Sequence, residues 1–199
     1  MTFLPKEAVE NALEAEVTGV DLSKNYFEKF PPPLEPLMKQ LYELNLSSNR
    51  LDMIPPSMIG LGTNLQFLNL ANNKFEQLPP EIGLLANLRE ICLSCNRFDQ
   101  VPSCLYGCAK LETLIASDNR ITEINVDGLK KLTRLTILDL GNNNIGSVPP
   151  ELGLLTTIRS LTLDGNAFRV PRPQILVKGT ESIMAYLRDR IPRNQEDDA

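Results

Sequence analysis

Seven asparagines, at positions 25, 49, 73, 96, 119, 143 and 166, fall 23 or 24 residues apart. Each sits in one recurring phrase, L-x-x-L-x-L-x-x-N-x-L-x-x-L-P, with conservative swaps. One copy runs Leu65, Leu68, Leu70, Asn73, Phe75, Leu78, Pro79, and the next runs Leu88, Ile91, Leu93, Asn96, Phe98, Val101, Pro102. A period of this length marks a chain built by stacking one supersecondary unit. No single unit buries its own apolar face, so neighbouring copies must stabilise one another.

The spacing within the phrase dictates local structure. Its fourth and sixth positions are two apart and share one side of a strand. Leu44/Leu46, Leu68/Leu70 and Leu138/Leu140 are therefore expected to point inward. One short strand per copy would pair in parallel with the next. The asparagine ends the strand, and its amide both donates and accepts, so stacked copies predict a ladder of bonds to buried backbone groups. The proline opens the return segment, where a missing N–H costs little. Glu81 to Leu85 and Glu151 to Leu155 are expected to run back along the convex side as short helices or 3₁₀ turns.

On these motifs the chain resembles leucine-rich repeat proteins over residues 17–171. The 23-residue copies that carry Leu78-Pro79-Pro80-Glu81-Ile82-Gly83-Leu84-Leu85 are similar to the intracellular Ras-group type. The resemblance implies an α/β fold: a curved, right-handed solenoid of seven repeats with its parallel sheet on the concave face. It also implies a binding scaffold. Two copies depart from the pattern. The fifth has Ala116 in a leucine position and Asn125 in place of proline, and the last breaks at Pro171.

A solenoid exposes core at both ends unless it is capped. Ile183, Leu187 and Ile191 recur every four residues, which predicts a helix over 181–191 that covers the last repeat. Thr180 is read as its N-cap and Pro192 as its stop, with Arg188 and Arg190 suited to the C-terminal end of the helix dipole. A lipid-surface helix is the alternative. The segment 172–192 is thus a C-terminal cap, and 193–199 an acidic tail expected to be disordered. At the other end, residues 1–16 hold a helix-like stretch from Pro5 to Ala15, with Ala8, Val9, Ala12 and Leu13 near one face. It would either cover the first repeat or continue a linker from further repeats. Pro31-Pro32-Pro33 reads as a rigid return loop rather than a polyproline ligand.

Composition removes several functions. The chain has no histidine, which excludes Ser-His-Asp and Cys-His catalysis and His-ligated zinc. Its 20 Lys+Arg stand against 25 Asp+Glu, a poor balance for binding nucleic acid. No apolar run is long enough to span a membrane, and the first residues do not read as a signal peptide. The cysteines Cys92, Cys95, Cys104 and Cys108 cluster mid-chain, which suggests a reducing, cytoplasmic setting. Their spelling resembles a zinc site. The repeat frame opposes it, because Cys92 and Cys95 fall on the sheet side and Cys104 and Cys108 on the convex side. Gly141 to Gly146 is glycine-rich but lacks the lysine of a phosphate-binding loop. No metal, cofactor or catalytic residue is expected. Glu90, Asp118 and Asp139 would lie in water on an open sheet, where acid/base roles are disfavoured.

The outward strand positions are more informative. Phe67, Cys92, Ile115 and Ile137 form an apolar diagonal across the middle strands. Glu43, Glu90, Asp118 and Asp139 surround it. An apolar centre with a charged rim suits a protein interface. These eight residues are the candidate partner-binding site of a monomeric, non-catalytic, cytoplasmic scaffold, with a signalling role the natural setting. The partner would carry a basic rim and an apolar centre. The alternative is a structural C-terminal segment of a longer leucine-rich repeat protein, and a third, weaker alternative is an enzyme that uses the concave acids.

Overall fold

The computed structural model describes residues 4–59 and 62–192. Seven three-residue strands form one parallel sheet in chain order: β1 (Gly19–Asp21), β2 (Glu43–Asn45), β3 (Phe67–Asn69), β4 (Glu90–Cys92), β5 (Thr113–Ile115), β6 (Ile137–Asp139) and β7 (Ser160–Thr162). Every strand pairs in the register that the repeat dictates, so Val20, Leu44, Leu68, Ile91, Leu114, Leu138 and Leu161 form one row. From Leu44 onward this row is buried. The chain is therefore an α/β leucine-rich repeat solenoid with its sheet along one side.

The return segments are short. Pro32–Lys39, Pro80–Leu84, Ser103–Gly107 and Pro150–Leu154 are 3₁₀ helices, and α2 (Pro56–Ile59) and α3 (Val126–Leu129) are single α turns. Proline gives each 3₁₀ segment its entry and costs no hydrogen bond at a helix start. Asn125 explains why the fifth copy differs. Its Oδ1 accepts the Gly128 N–H at 2.8 Å, a side-chain cap that Pro79, Pro102 and Pro149 do not supply at the same place in their copies. Ala116 is fully buried at its leucine position.

The asparagine ladder joins the copies. Asn73 Nδ2 donates to Leu70 O and Ala71 O in its own turn, both at 3.1 Å, and to Leu46 O of the preceding copy at 3.0 Å. Its Oδ1 accepts the Leu51 N–H at 3.0 Å. Asn49, Asn96, Asn119, Asn143 and Asn166 repeat this set. One side chain thus satisfies backbone groups in two repeats, which makes it a connector as much as a turn residue.

The C-terminal edge is closed by α4 (Pro173–Leu176) and α5 (Thr180–Arg188). Ile183, Met184 and Leu187 are buried against the last repeat. The helix is shorter than the expected 181–191, and Ile191 and Arg190 lie beyond it. Arg190 instead stacks on the Tyr186 ring, 3.5 Å from its centroid. Thr180 is not the N-cap. That position falls on Gly179, whose φ of 85° suits glycine. The Thr180 hydroxyl oxygen accepts the Leu161 N–H at 2.9 Å, and so occupies an otherwise free backbone donor on the edge of β7. At the other end, α1 (Lys6–Glu14) is slightly shorter than Pro5–Ala15. It buries Val9 and packs on the 32–39 segment, while Ala8 faces solvent. Pro32 and Pro33 belong to a packed 3₁₀ helix, as a rigid return segment requires. The acidic tail lies outside the described residues.

Candidate functional site on the open face of the sheet

The outward face presents two rows of side chains beside the turn residues. In one row Glu43, Phe67, Glu90, Thr113 and Ile137 stand in register, and in the other Asn45, Asn69, Cys92, Ile115 and Asp139. Neighbouring strands lie about 4.8 Å apart, so Phe67 has a carboxylate on each flank. Phe67, Cys92 and Ile115 are half-buried, Glu43 and Glu90 are exposed, and Ile137 is 39 % exposed. Glu43, Phe67, Glu90, Cys92 and Ile115 line one shallow hollow of about 210 Å³, together with Thr113. Neither Glu43 nor Glu90 takes part in an ion pair among the described residues.

The structure does not bring the other three candidates into that hollow. Ile137 lies one strand beyond, beside Thr113. Asp118 is exposed in the turn after β5, with a φ of 55°, and accepts the Asn142 Nδ2 at 3.1 Å. Asp139 Oδ1 accepts the Gly141 N–H at 2.9 Å. Asp21, Asn45 and Asn69 make the same bond to the residue two ahead, at 2.8 to 3.0 Å. That bond to Ser23 is also the main cause that holds the Asp21 carboxyl below the ordinary carboxylate value. These four side chains therefore brace the turn that leads to the left-handed residues Lys24, Ser48, Asn72 and Asn142, a turn that also forms at Cys95 and Asp118 without such a bond. The signal for this duty was present, since Asp or Asn recurs at one position in four copies.

The thiols do not form an activated centre. Cys92 Sγ donates to Ser94 Oγ at 3.6 Å, and Cys108 Sγ donates to Ile82 O at 3.4 Å inside the core. Burial, then the Asp118 charge, pushes the Cys95 thiol up, and burial also raises Cys104. A raised thiol carries little thiolate at neutral pH and is a poor nucleophile. Among the described residues no three Cys, Asp or Glu side chains are grouped so as to hold a metal ion.

The buried Cys108 and the half-buried Tyr106 give the fold an alkaline limit. Burial pushes the Cys108 thiol up to about 12 from 9.0, with a smaller contribution from Cys104. Burial pushes the Tyr106 hydroxyl up to about 12 from 10.0, helped by Glu123. Both groups stay protonated in the fold at pH values where the unfolded chain loses the proton. Their stabilisation is whole below about pH 9 and is lost as pH rises toward about 12. The urea midpoint is expected to fall steadily across that window, and Cys108→Ala should flatten part of the fall. A midpoint insensitive to pH from 9 to 11 would contradict this reading.

The model of the leucine-rich repeat region matches residues 38–178, and the chain belongs to that family. A probable serine/threonine-protein kinase, pats1 of Dictyostelium discoideum, is 36 % identical over 55 residues, which are 28 % of this chain and 2 % of that protein. Among solved structures, the leucine-rich repeat protein LIC12759 of Leptospira interrogans superposes with a TM-score of 0.68 at 26 % identity, over 89 % of this chain and 50 % of that one. The PEPR1–AtPEP1 structure gives 0.63 at 33 % identity, over 75 % of this chain and 21 % of that one. The plant peptide hormone receptor RGFR1, solved in complex with RGF2, gives 0.62 at 30 % identity, over 84 % and 30 %. The chain thus spans half or less of the length of each of these proteins. Among the described residues no helix is long and apolar enough to cross a membrane.

Proposed function

We propose that this chain is a non-catalytic protein-interaction scaffold that binds its partner on the concave face of the sheet. The observation that carries this reading is the hollow around Phe67, with Glu43 and Glu90 in register on either side of the ring. A guanidinium fits this arrangement. Its plane stacks on the aromatic face while its N–H groups reach a carboxylate on either flank. Cys92, Ile115 and Ile137 then offer apolar surface to the residues beside that arginine. The partner is a protein segment with a basic residue next to an aliphatic one. An acidic face disfavours nucleic acid. The similarity to a plant peptide hormone receptor solved in complex with RGF2 supports a binding role for the repeats.

The same reading places the chain in the cytoplasm as a monomer, with four free thiols suited to a reducing compartment. The narrower kinship is to the Ras-group type. The stretches Asp164 to Arg172, Lys178 to Thr180 and Tyr186 to Pro192 resemble the C-terminal end of leucine-rich repeat-containing protein 40.

A random-peptide display library panned on the folded chain tests the partner chemistry. Selected peptides should pair Arg or Lys with Leu, Ile or Val. Their binding should drop at least about tenfold on Glu43→Gln/Glu90→Gln, since charge-assisted bonds to the guanidinium are lost. Selection of acidic peptides, or equal binding to the double variant, would overturn the proposal.

A further inference from the structure

A straight segment laid across the strands meets one register row after another. Counting from Phe67 on β3, the apolar anchors are Cys92 on β4, Ile115 on β5 and Ile137 on β6, one on each successive strand. Strands repeat about every 4.8 Å, so these anchors lie about 4.8, 9.6 and 14.4 Å beyond Phe67 along the sheet. Phe67 and Ile137 belong to one outward row, and Cys92 and Ile115 to the other. Past the second row the strands continue with small residues, Ala71, Ser94, Ser117 and Gly141, and Ser94 Oγ lies 3.0 Å from Ser117 Oγ. Room is therefore left beside the anchors for a rod wider than one extended chain.

Side-chain spacing separates the two regular conformations such a segment can take. In an extended strand the residues on one side recur about every 6.7 Å. The first one past the arginine would fall between Cys92 and Ile115, and only the second, at about 13.5 Å, would come near Ile137. An α-helix rises about 1.5 Å per residue. Residues three, seven and ten beyond a first one share its face and lie about 4.5, 10.5 and 15 Å along the axis. Each of these falls within about 1 Å of one strand of the sheet. The pitch of the repeats thus matches the stripe of an amphipathic helix and not the alternation of a strand.

Charge completes the pattern. Neither outward row, from Glu43 to Ile137 or from Asn45 to Asp139, contains a lysine or an arginine. Glu43 and Glu90 flank the Phe67 end, and Asp118 and Asp139 add negative charge toward the Ile137 end. A helix complementary to this face carries cations along the edges of its apolar stripe.

We propose that the partner segment is a basic amphipathic α-helix that crosses β3 to β6, with an arginine on Phe67 and aliphatic residues three, seven and ten positions from it on Cys92, Ile115 and Ile137. This rests on the concave-face reading above and adds the conformation and the residue pattern of the occupant. An extended segment is the competing occupant.

Four synthetic peptides titrated onto the full chain test the pattern. Isolated helices of about 15 residues are marginal in water, so the helical peptides carry a side-chain staple on the outer face. The first has one Arg with Leu three, seven and ten residues after it, in a background of Ala, Gln and Lys. The second has the same Leu residues ahead of the Arg, which covers the opposite chain direction. The third is the first without its staple and with a central proline. The fourth is unstapled and has Leu two, four and six residues after the Arg. One of the two stapled peptides should bind at least about tenfold more tightly than the third and fourth, because its helix is formed in advance. Ile137→Ala should weaken that peptide about fivefold, and should not weaken its variant with Ala in place of the Leu ten residues from the Arg. Equal or tighter binding of the third or fourth peptide would overturn the helix, and so would binding of none. If that extended binding still drops on Glu43→Gln/Glu90→Gln, the concave face stands and only the helix fails. Binding of a stapled peptide that Glu43→Gln/Glu90→Gln leaves unchanged would overturn both.

Discussion

Asn96→Ala should cost the fold about 3–5 kcal/mol, a large share of the stability of an ordinary domain. Asn96 is 8 % exposed and holds four backbone groups at once. Its Nδ2 donates to Leu70 O, Leu93 O and Ser94 O at 2.9, 3.0 and 3.2 Å, and its Oδ1 accepts the Phe75 N–H at 3.0 Å. Alanine leaves the Phe75 donor without a partner, which costs about 1–3 kcal/mol. The Leu70, Leu93 and Ser94 carbonyls keep their bonds from Asn73 Nδ2, Asn119 Nδ2 and the Asn72 N–H, and each lost second bond costs about 0.5–1 kcal/mol more. Asn25→Ala, in the first copy, should cost about 1 kcal/mol by the same reasoning, since among the described residues two local bonds are lost. Urea unfolding of the two variants checks the contrast. Equal losses would mean that the ladder does not join the repeats.

Gly153→Val should cost about 3 kcal/mol by overpacking the joint between the last repeat and α5. A Cβ at Gly153 would sit 2.8 Å from both Arg188 N and Met184 O, which are backbone atoms of the helix and cannot rotate away. The helix must lift. The Arg188 Nη1 bond to Gly153 O at 3.2 Å and the Leu161 bond to Thr180 go with it. Exchange of the Leu161 amide should therefore speed up together with the drop in melting temperature. Gly146→Ala is the control, because nothing lies within 4 Å of a Cβ there. It should change stability by less than about 0.5 kcal/mol. Equal effects from the two substitutions would show that α5 is not seated on Gly153.

The strand rows, the buried asparagines and the return segments were legible in the sequence because the side-chain periods of strand and repeat fix them. Phe67 between Glu43 and Glu90 was legible for the same reason, since register follows the repeat. What was not legible were the second partners of polar side chains. Asp139 and Asp118 read as free acids, yet one closes a turn on Gly141 and the other accepts from Asn142. Thr180 has the spelling of an N-cap, but the free edge of β7 competes for its oxygen. Asn125 reads as a departure from proline, and it starts a helix by its own means. For Asp139, Thr180 and Asn125 a backbone donor decides the role, and for Asp118 the Asn142 side-chain amide does. Only Asp139 left a trace in the repeat, as the Asp or Asn that recurs at its position in four copies.

The central claim is that the concave face is the binding surface. Its most direct test is affinity capture from a cell lysate with three folded proteins: the wild type, Phe67→Glu/Ile137→Glu, and Leu84→Glu/Leu154→Glu. Leu84 and Leu154 are exposed apolar residues on the return segments, at 66 % and 50 %, so the last pair controls for surface charge away from the sheet. Circular dichroism first establishes that all three fold alike. The account predicts a partner captured by the wild type and by the Leu84/Leu154 variant, and lost with the Phe67/Ile137 variant. Retention of that partner by the Phe67/Ile137 variant, with loss in the Leu84/Leu154 variant, would place the binding surface on the return segments and contradict the claim.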